Sequence, residues 1–255
     1  MIELKSAGEL DAMRLAGKVV ATALRAVAAG AAVGTSLREL DEIAAGVLAD
    51  AGARSSFLHY QPGGAPSPFP AVLCTSVNDA VVHGIPNGYR LRDGDLLSID
   101  FGAEVDGWHG DAATSFVVGT ADQRDLDLIA VTERALAAGI DAARPGNRLG
   151  DIGHAIGGIG RAAGYGLLAD HGGHGIGRAM HEPPSVPNEG VAGKGLRLRP
   201  GMVLAIEPML VAGGGDSYRP AEDGWTLCTF DGSRAAHAEH TVAVTSDGPR
   251  VLTTE

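Results

Sequence analysis

Positive charge, cysteine and aromatic side chains are all scarce in this chain of 255 residues. Lys and Arg number 20 against 31 Asp and Glu, a formal charge of −11. So acidic a molecule repels phosphate backbones, which excludes nucleic acid as its main partner. The two cysteines, Cys74 and Cys228, are too few for a disulfide framework or a thiolate zinc site and suit a reducing compartment. Aromatics make up 4%, so stacking contributes little. A long apolar run is also missing: the longest stretch without a formal charge, Ser55 to Asn78, is interrupted by Pro62, Pro66, Pro68 and Pro70 and cannot form a transmembrane helix. Glu3, Lys5, Glu9, Asp11, Arg14 and Lys18 break up the region where a signal peptide would need its uncharged core. The expectation is a soluble, cytoplasmic protein without a membrane partner.

What is present in excess is glycine, 38 residues, about twice the usual ~7%. Hydrophobic residues at 45% and charged residues at 20% are ordinary globular usage and exclude disorder. Met13, Ala16, Val20, Leu24 and Val27 recur at helical spacing, and a second apolar face runs through Leu37, Leu40, Ile43, Ala44 and Val47. Ser36 and Glu39 form a capping box at the start of that second helix, and Gly52 follows its end. A third helix is predicted from about Asp122 through Leu126, Ile129 and Leu136 to Pro145, and a fourth from about Asn147 through Leu149, Ile152, Ile156 and Ile159 to Gly164.

The second and fourth helices align at a constant offset, Gly34 with Gly146, Leu37 with Leu149, Leu40 with Ile152, Gly52 with Gly164. Downstream, Leu91-Arg-Asp-Gly-Asp-Leu-Leu-Ser-Ile-Asp100 matches Leu198-Arg-Pro-Gly-Met-Val-Leu-Ala-Ile-Glu207. Each reads as a turn and a buried strand ending on an acid. The pattern is that of an internal duplication, with one domain over residues 1–255 and halves of about 1–120 and 121–255. In such a chain the natural site lies on the pseudo-twofold axis, where equivalent groups converge.

Four acids fit that place. A carboxylate ending an apolar strand is costly to bury unless it is paired or binds metal. Asp106-Gly107 is a two-residue hairpin turn; with Val105 paired to Trp108, Asp111 falls opposite Gly102 and becomes the diagonal neighbour of Asp100. In the second half, Glu207 follows the strand Val203 to Ile206 and Glu239 opens the final strand. Taken singly, each acid is better read as a solvated strand end; as a matched set they would repel one another by several kcal/mol without cations. Hard divalent metals are the economical answer, and four acids are enough for two ions. Of the 9 histidines, His174 stands in the glycine-rich run His171-Gly-Gly-His-Gly-Ile-Gly177, whose glycines allow close approach to a ligand; a phosphate-binding reading of that run lacks its strand and ribose acid. His83 and His181 sit beside turn residues, and on the residues alone a structural role suits each as well as a functional one. His59, His109, His154 and His171 are read as solvated, capping or supporting groups.

Together these residues resemble the type I methionine aminopeptidase family, of the pita-bread fold. The resemblance rests on Ser76-Val-Asn-Asp-Ala-Val-Val-His-Gly-Ile-Pro86, Gly107-Trp-His-Gly-Asp111, Gly173-His-Gly-Ile-Gly177 with His181-Glu-Pro-Pro184, Gly201-Met-Val-Leu-Ala-Ile-Glu-Pro-Met209, Asp223-Gly-Trp-Thr226 and Glu239-His-Thr241. It implies an α+β fold of two pseudo-twofold halves, an antiparallel sheet covered by two helix pairs. It implies two divalent ions (Co, Mn, Fe or Zn) held by Asp100, Asp111, His174, Glu207 and Glu239, with Asp111 and Glu239 bridging. A metal-activated water would attack the carbonyl after an initiator methionine, Glu207 would shuttle the proton, His181 would stabilise the oxyanion and His83 would assist the leaving amine. The substrate would be the N-terminal methionine of nascent polypeptides with a small second residue, its side chain in a pocket of Phe69, Cys74, Met180 and Trp225, with Tyr60 a weaker candidate. A monomer in transient contact with the ribosome is expected.

Three departures from the family pattern bear on metal preference and rate: Ala112-Ala113 where a hydroxyl is common, Gly102 where some members have threonine, and His237 in place of a common glutamine. Two rival readings are an X-Pro peptidase of the same fold, which would need a cap domain, and a catalytically inactive binding relative, against which the complete ligand set argues.

Overall fold

Both predicted helix pairs form, and their caps explain where they begin and end. The computed structural model describes residues 2–65 and 67–255; Pro66, one of the prolines that interrupt the uncharged stretch, lies outside the described residues. Helix α1 spans Ala7–Gly30 and α2 spans Leu37–Ala51. Ser36 Oγ accepts from the Glu39 amide while the Glu39 carboxylate accepts from the Ser36 amide, and Gly52 terminates α2 in the left-handed region at φ 62°. Five strands come next: β1 (Arg54–Ser55), β2 (Cys74–Val77), β3 (Ala80–Val82), β4 (Leu96–Val105) and β5 (Trp108–Val117). The second helix pair is α3 (Gln123–Ala142), capped by Asp122, and α4 (Leu149–Ala162). On α3 the buried face runs through Leu128, Val131, Ala135 and Leu136, and Leu126, expected inside, is exposed.

The remaining strands are β6 (Gly166–Leu167), β7 (Gly172–Gly175), β8 (Glu182–Pro187), β9 (Val203–Ile206), β10 (Met209–Val211), β11 (Tyr218–Pro220), β12 (Leu227–Thr229), β13 (Ala235–His237), β14 (Glu239–Thr245) and β15 (Gly248–Val251). A nine-stranded antiparallel sheet runs β1-β4-β5-β14-β9-β7-β8, with β2 beside β4 and β15 beside β14. Two small three-stranded sheets, β13-β10-β6 and β11-β12-β3, flank it.

Strand periodicity decides which way the acids face. Leu97, Ile99, Phe101 and Ala103 of β4 pack with Val20, Leu24, Leu40 and Leu48 of α1 and α2, so Asp100 faces the opposite side of the sheet. The second half repeats this: Leu204 and Ile206 of β9 and Val242 and Val244 of β14 pack with Leu128, Val131, Ile152 and Ile156 of α3 and α4, leaving Glu207 and Glu239 on the helix-free face. The hairpin register is the expected one, Val105 opposite Trp108 and Asp111 opposite Gly102. Its turn residues Asp106 and Gly107 both take positive φ, 51° and 78°, as a two-residue turn of this kind requires. Asp111 is the fourth residue of β5, because the hairpin is paired without a break from the turn onward.

The glycines around His174 have a different use from the one their sequence indicates. A Cβ on Gly173 would stand 2.0 Å from the Ala205 carbonyl oxygen, and one on Gly175 would stand 2.3 Å from that of Pro183. Neighbouring backbone, not a ligand, occupies that space. Gly173→Ala is expected to destabilise the fold by ~1–3 kcal/mol through overpacking against β9; urea denaturation measures it.

Candidate metal centre

Asp100 and Asp111 come from paired strands, Glu207 from the end of β9, Glu239 from the start of β14 and His174 from β7, and all five line one cavity of about 360 Å³. His83, His181, Phe69, Cys74, Met180 and Trp225 line the same cavity, as do Phe57, Tyr60 and Pro62. The sequence therefore identified most of the lining; Phe57 and Pro62 were missed because their segment carries no regular strand or helix that fixes a register.

The acids are close and poorly satisfied. Asp111, His174 and Glu239 each offer a ligand atom within 4.8 Å of the others, and so do Glu207, His237 and Glu239. His174 Nε2 lies 3.6 Å from Glu207 Oε1 and 4.0 Å from Asp111 Oδ2. Asp100 Oδ1, Asp111 Oδ1 and Glu239 Oε1 are buried without a hydrogen-bond partner among the described residues. Burial pushes Asp111 up to about 7. Burial first, then the neighbouring acids, push Asp100, Glu207 and Glu239 well above the usual carboxylate range. Orphaned carboxylate oxygens and a neutral imidazole are the donor set of a divalent cation site, so the residues present fit the ions their pattern implied.

Buried hydrogen bonds hold the donors in place. Nδ1 of His174 meets the Gly175 carbonyl at 2.9 Å; donation there leaves the Nε2 lone pair facing the acids. Burial, then His181, bring His174 down to about 3, so it is neutral across the physiological range. Thr241 Oγ1 accepts from the Asp111 amide at 2.9 Å and donates to the Asp111 carbonyl at 2.8 Å, which ties β5 to β14 beside the site. Asn188 Nδ2 donates to the Glu207 carbonyl at 2.9 Å. Thr241 belongs to a motif read in the sequence, but its clamp depends on a strand pairing that spacing does not reveal.

His83 and His181 stand at the cavity edge. His83 takes φ 60°, a conformation costly for a residue with a Cβ, and the next residue docks on β2, where the Gly84 amide donates to Ser76 Oγ at 3.1 Å. Burial, with His171 and His181 nearby, lowers His83 to about 4. The His181 ring packs at a tilt against His174, with centroids 4.1 Å apart, and against Tyr60 at 5.1 Å. The segment carrying it is fixed by Glu182, whose carboxylate pairs with buried Lys5 at 2.6 Å.

Phe69 packs edge-on against Trp225 at 5.2 Å and against Phe57 at 6.3 Å, and these rings with Ala71, Cys74, Ile85 and Met180 make an apolar cluster beside the acids. That cluster explains one departure: a Cβ on Gly102 would stand 2.7 Å from the Phe57 ring, so no threonine fits beside this Phe57. Ala113 lies in register with both Asp100 and Glu239 and offers neither a hydroxyl. Of the remaining histidines, His59 and His154 are exposed, Nδ1 of His109 bonds Ser56 Oγ at 2.8 Å, and Nδ1 of His171 bonds the Ala169 carbonyl at 2.8 Å.

Residues 11–246 match the model of metallopeptidase family M24. The chain is 54% identical over 260 residues to methionine aminopeptidase 1 of Mycobacterium tuberculosis, covering 99% of this chain and 95% of that one. It superposes on the crystal structure of methionine aminopeptidase from Thermotoga maritima with a TM-score of 0.95 at 40% identity, covering 100% of both chains. The prolidase from Pyrococcus horikoshii shares the fold at a TM-score of 0.76 and 23% identity, and this chain covers 64% of its length.

The raised acids make metal binding proton-coupled. Above pH 6.5 free histidines are largely neutral, so acids that keep protons only when folded dominate linkage. Their stabilisation is present at low pH and lost as pH rises through about 7 for Asp111. Metal-free protein is therefore expected to lose stability as pH rises from about 6.5 through about 7, the region where Asp111 gives up its proton, whereas divalent metal removes that loss and binds with proton release. Denaturation with and without metal, and calorimetry in buffers of different ionisation enthalpy, check both.

Proposed function

The chain belongs to the type I methionine aminopeptidases of metallopeptidase family M24, and from that premise we propose how its cavity removes the N-terminal methionine from peptides with a small second residue. It is a metal-dependent aminopeptidase. The observation that carries the mechanism is that four acids, three flanking histidines and an apolar aromatic cluster share one cavity. Residues 1–255 act as one catalytic domain built from two related halves.

Asp100, Asp111, His174, Glu207 and Glu239 would hold two divalent ions, with Co, Mn, Fe or Zn all compatible with oxygen donors and an imidazole. When bound, such ions supply Lewis-acid chemistry, activating a water at neutral pH and polarising the scissile carbonyl. Glu207 accepts the proton of the attacking water and passes it to the leaving amine. Its Oε1, 3.6 Å from His174 Nε2, lies on the donor side of the cavity, as that role requires. His181, at the mouth, donates a hydrogen bond to the developing oxyanion, and its contacts with the His174 and Tyr60 rings hold it in place. His83 hydrogen-bonds the departing amine. Phe57, Phe69, Cys74, Met180 and Trp225 line the place of the methionine side chain; sulfur-aromatic contacts favour a thioether.

Action on nascent chains in the cytoplasm, as a monomer in transient contact with the ribosome, accords with that substrate. The X-Pro reading is disfavoured because its structural counterpart is 23% identical and much longer, a likeness of fold alone.

Met-Ala and Met-Gly peptides should release methionine with cobalt or manganese present and stop on chelation; a loaded protein that cleaves only X-Pro bonds refutes the specificity. His181→Ala should retain the metal and lose ~10²–10³-fold in kcat, the scale of one lost oxyanion donor. Unchanged turnover would remove His181 from the mechanism. Trp225→Ala should raise KM for methionyl peptides more than it lowers kcat, measured by steady-state kinetics.

A further inference from the structure

We propose that His237 is itself a metal ligand, a second imidazole that binds through Nε2 the ion between Glu207 and Glu239. The proposal rests on reading the acid cluster as a divalent-metal site and adds a donor to it.

His237 ends β13, paired with β10 so that it lies opposite Met209. It is 2% exposed, and its Nε2 has no hydrogen-bond partner among the described residues. The atom stands 3.7 Å from Glu207 Oε2 and 3.9 Å from Glu239 Oε2. Those distances are too long for hydrogen bonds. They suit a shared cation, because donors each ~2.0–2.2 Å from one ion stand roughly 3–4 Å apart. His174 gives an internal comparison: its Nε2 faces the other Glu207 oxygen at 3.6 Å and Asp111 at 4.0 Å. The two imidazoles thus flank Glu207, one on each carboxylate oxygen.

The backbone of His237 is fixed as firmly as that of Asp111. Its amide donates to Ser115 Oγ at 3.0 Å, and Ser115 Oγ donates back to its carbonyl at 2.7 Å. Ser98 Oγ, 2.7 Å away, completes the arrangement by donating to Ser115. A buried imidazole aimed between two carboxylates, with both backbone groups clamped, is arranged as a ligand is. The glutamine common in the family at this place offers an amide; histidine offers a nitrogen lone pair, a donor that suits zinc, iron or cobalt better than manganese.

The test uses full-length protein labelled with 15N-histidine and titrated with zinc, observed by long-range 15N–1H correlation of the imidazoles. The expected result is two histidines whose Nε2 moves to a metal-bound shift, one of which disappears in His237→Gln. Competition isotherms should show the zinc-over-manganese preference falling about 10-fold or more in that variant, which carries the family's common residue and so is expected to fold. Zinc bound at the acids with His174 alone shifted, or a preference unchanged by His237→Gln, overturns the assignment while leaving the metal reading intact. Failure of zinc to bind at all overturns both.

Discussion

Four carboxylates inside a protein repel one another and resist desolvation, and this cavity gathers four from separate strands. Among the described residues, no lysine or arginine lines the cavity with them. Each would resist ionisation, as the rise of Asp111 to about 7 records, so the cluster is stable and ionised near neutrality only with cations between the acids. Much of the surrounding structure follows from holding those acids together. The helices cover one face of the sheet, so the other is free to carry them, and the strand periodicity of β4, β9 and β14 sorts apolar and acidic side chains between the two.

The geometry is kept by bonds from outside the donor set. Thr241 joins the backbone of Asp111 to β14, Ser115 joins that of His237 to β5, and Asn188 holds the carbonyl of Glu207. Each couples a donor from one strand to a neighbour that carries another donor or lies beside it, so the halves are locked at the site and not only through their cores. Lys5 does the same at longer range, pairing with Glu182 beside His181. Rigid donors matter because polar groups held in place stabilise charge without reorganising.

A large share of this was legible in the sequence. The capping box at Ser36 and Glu39, the Asp106-Gly107 turn and the apolar strands each rest on local chemistry, and the structure has them where that chemistry puts them. The convergence of Asp100, Asp111, Glu207 and Glu239 was readable because two aligned sequence segments each end on an acid. Long-range pairing was not readable. Gly173 and Gly175 look like room for a ligand until β8 and β9 are seen to fill it, and Gly102 looks like a missing threonine until Phe57 covers it. His237 stood out only as a departure; its aim toward Glu207 and Glu239 depends on the β13–β10 pairing and the Ser115 clamp. Leu126 fits a helical face by spacing but lies on the exposed side of α3, because tertiary packing and not periodicity selects which apolar stripe is buried.

The claim that cations hold the four acids together is tested most directly by anomalous diffraction from crystals grown with cobalt, recorded on both sides of its absorption edge. Anomalous density is expected within coordinating distance of Asp111, His174, Glu207 and Glu239. Cobalt bound elsewhere, with the acids paired to one another through protons, would contradict it.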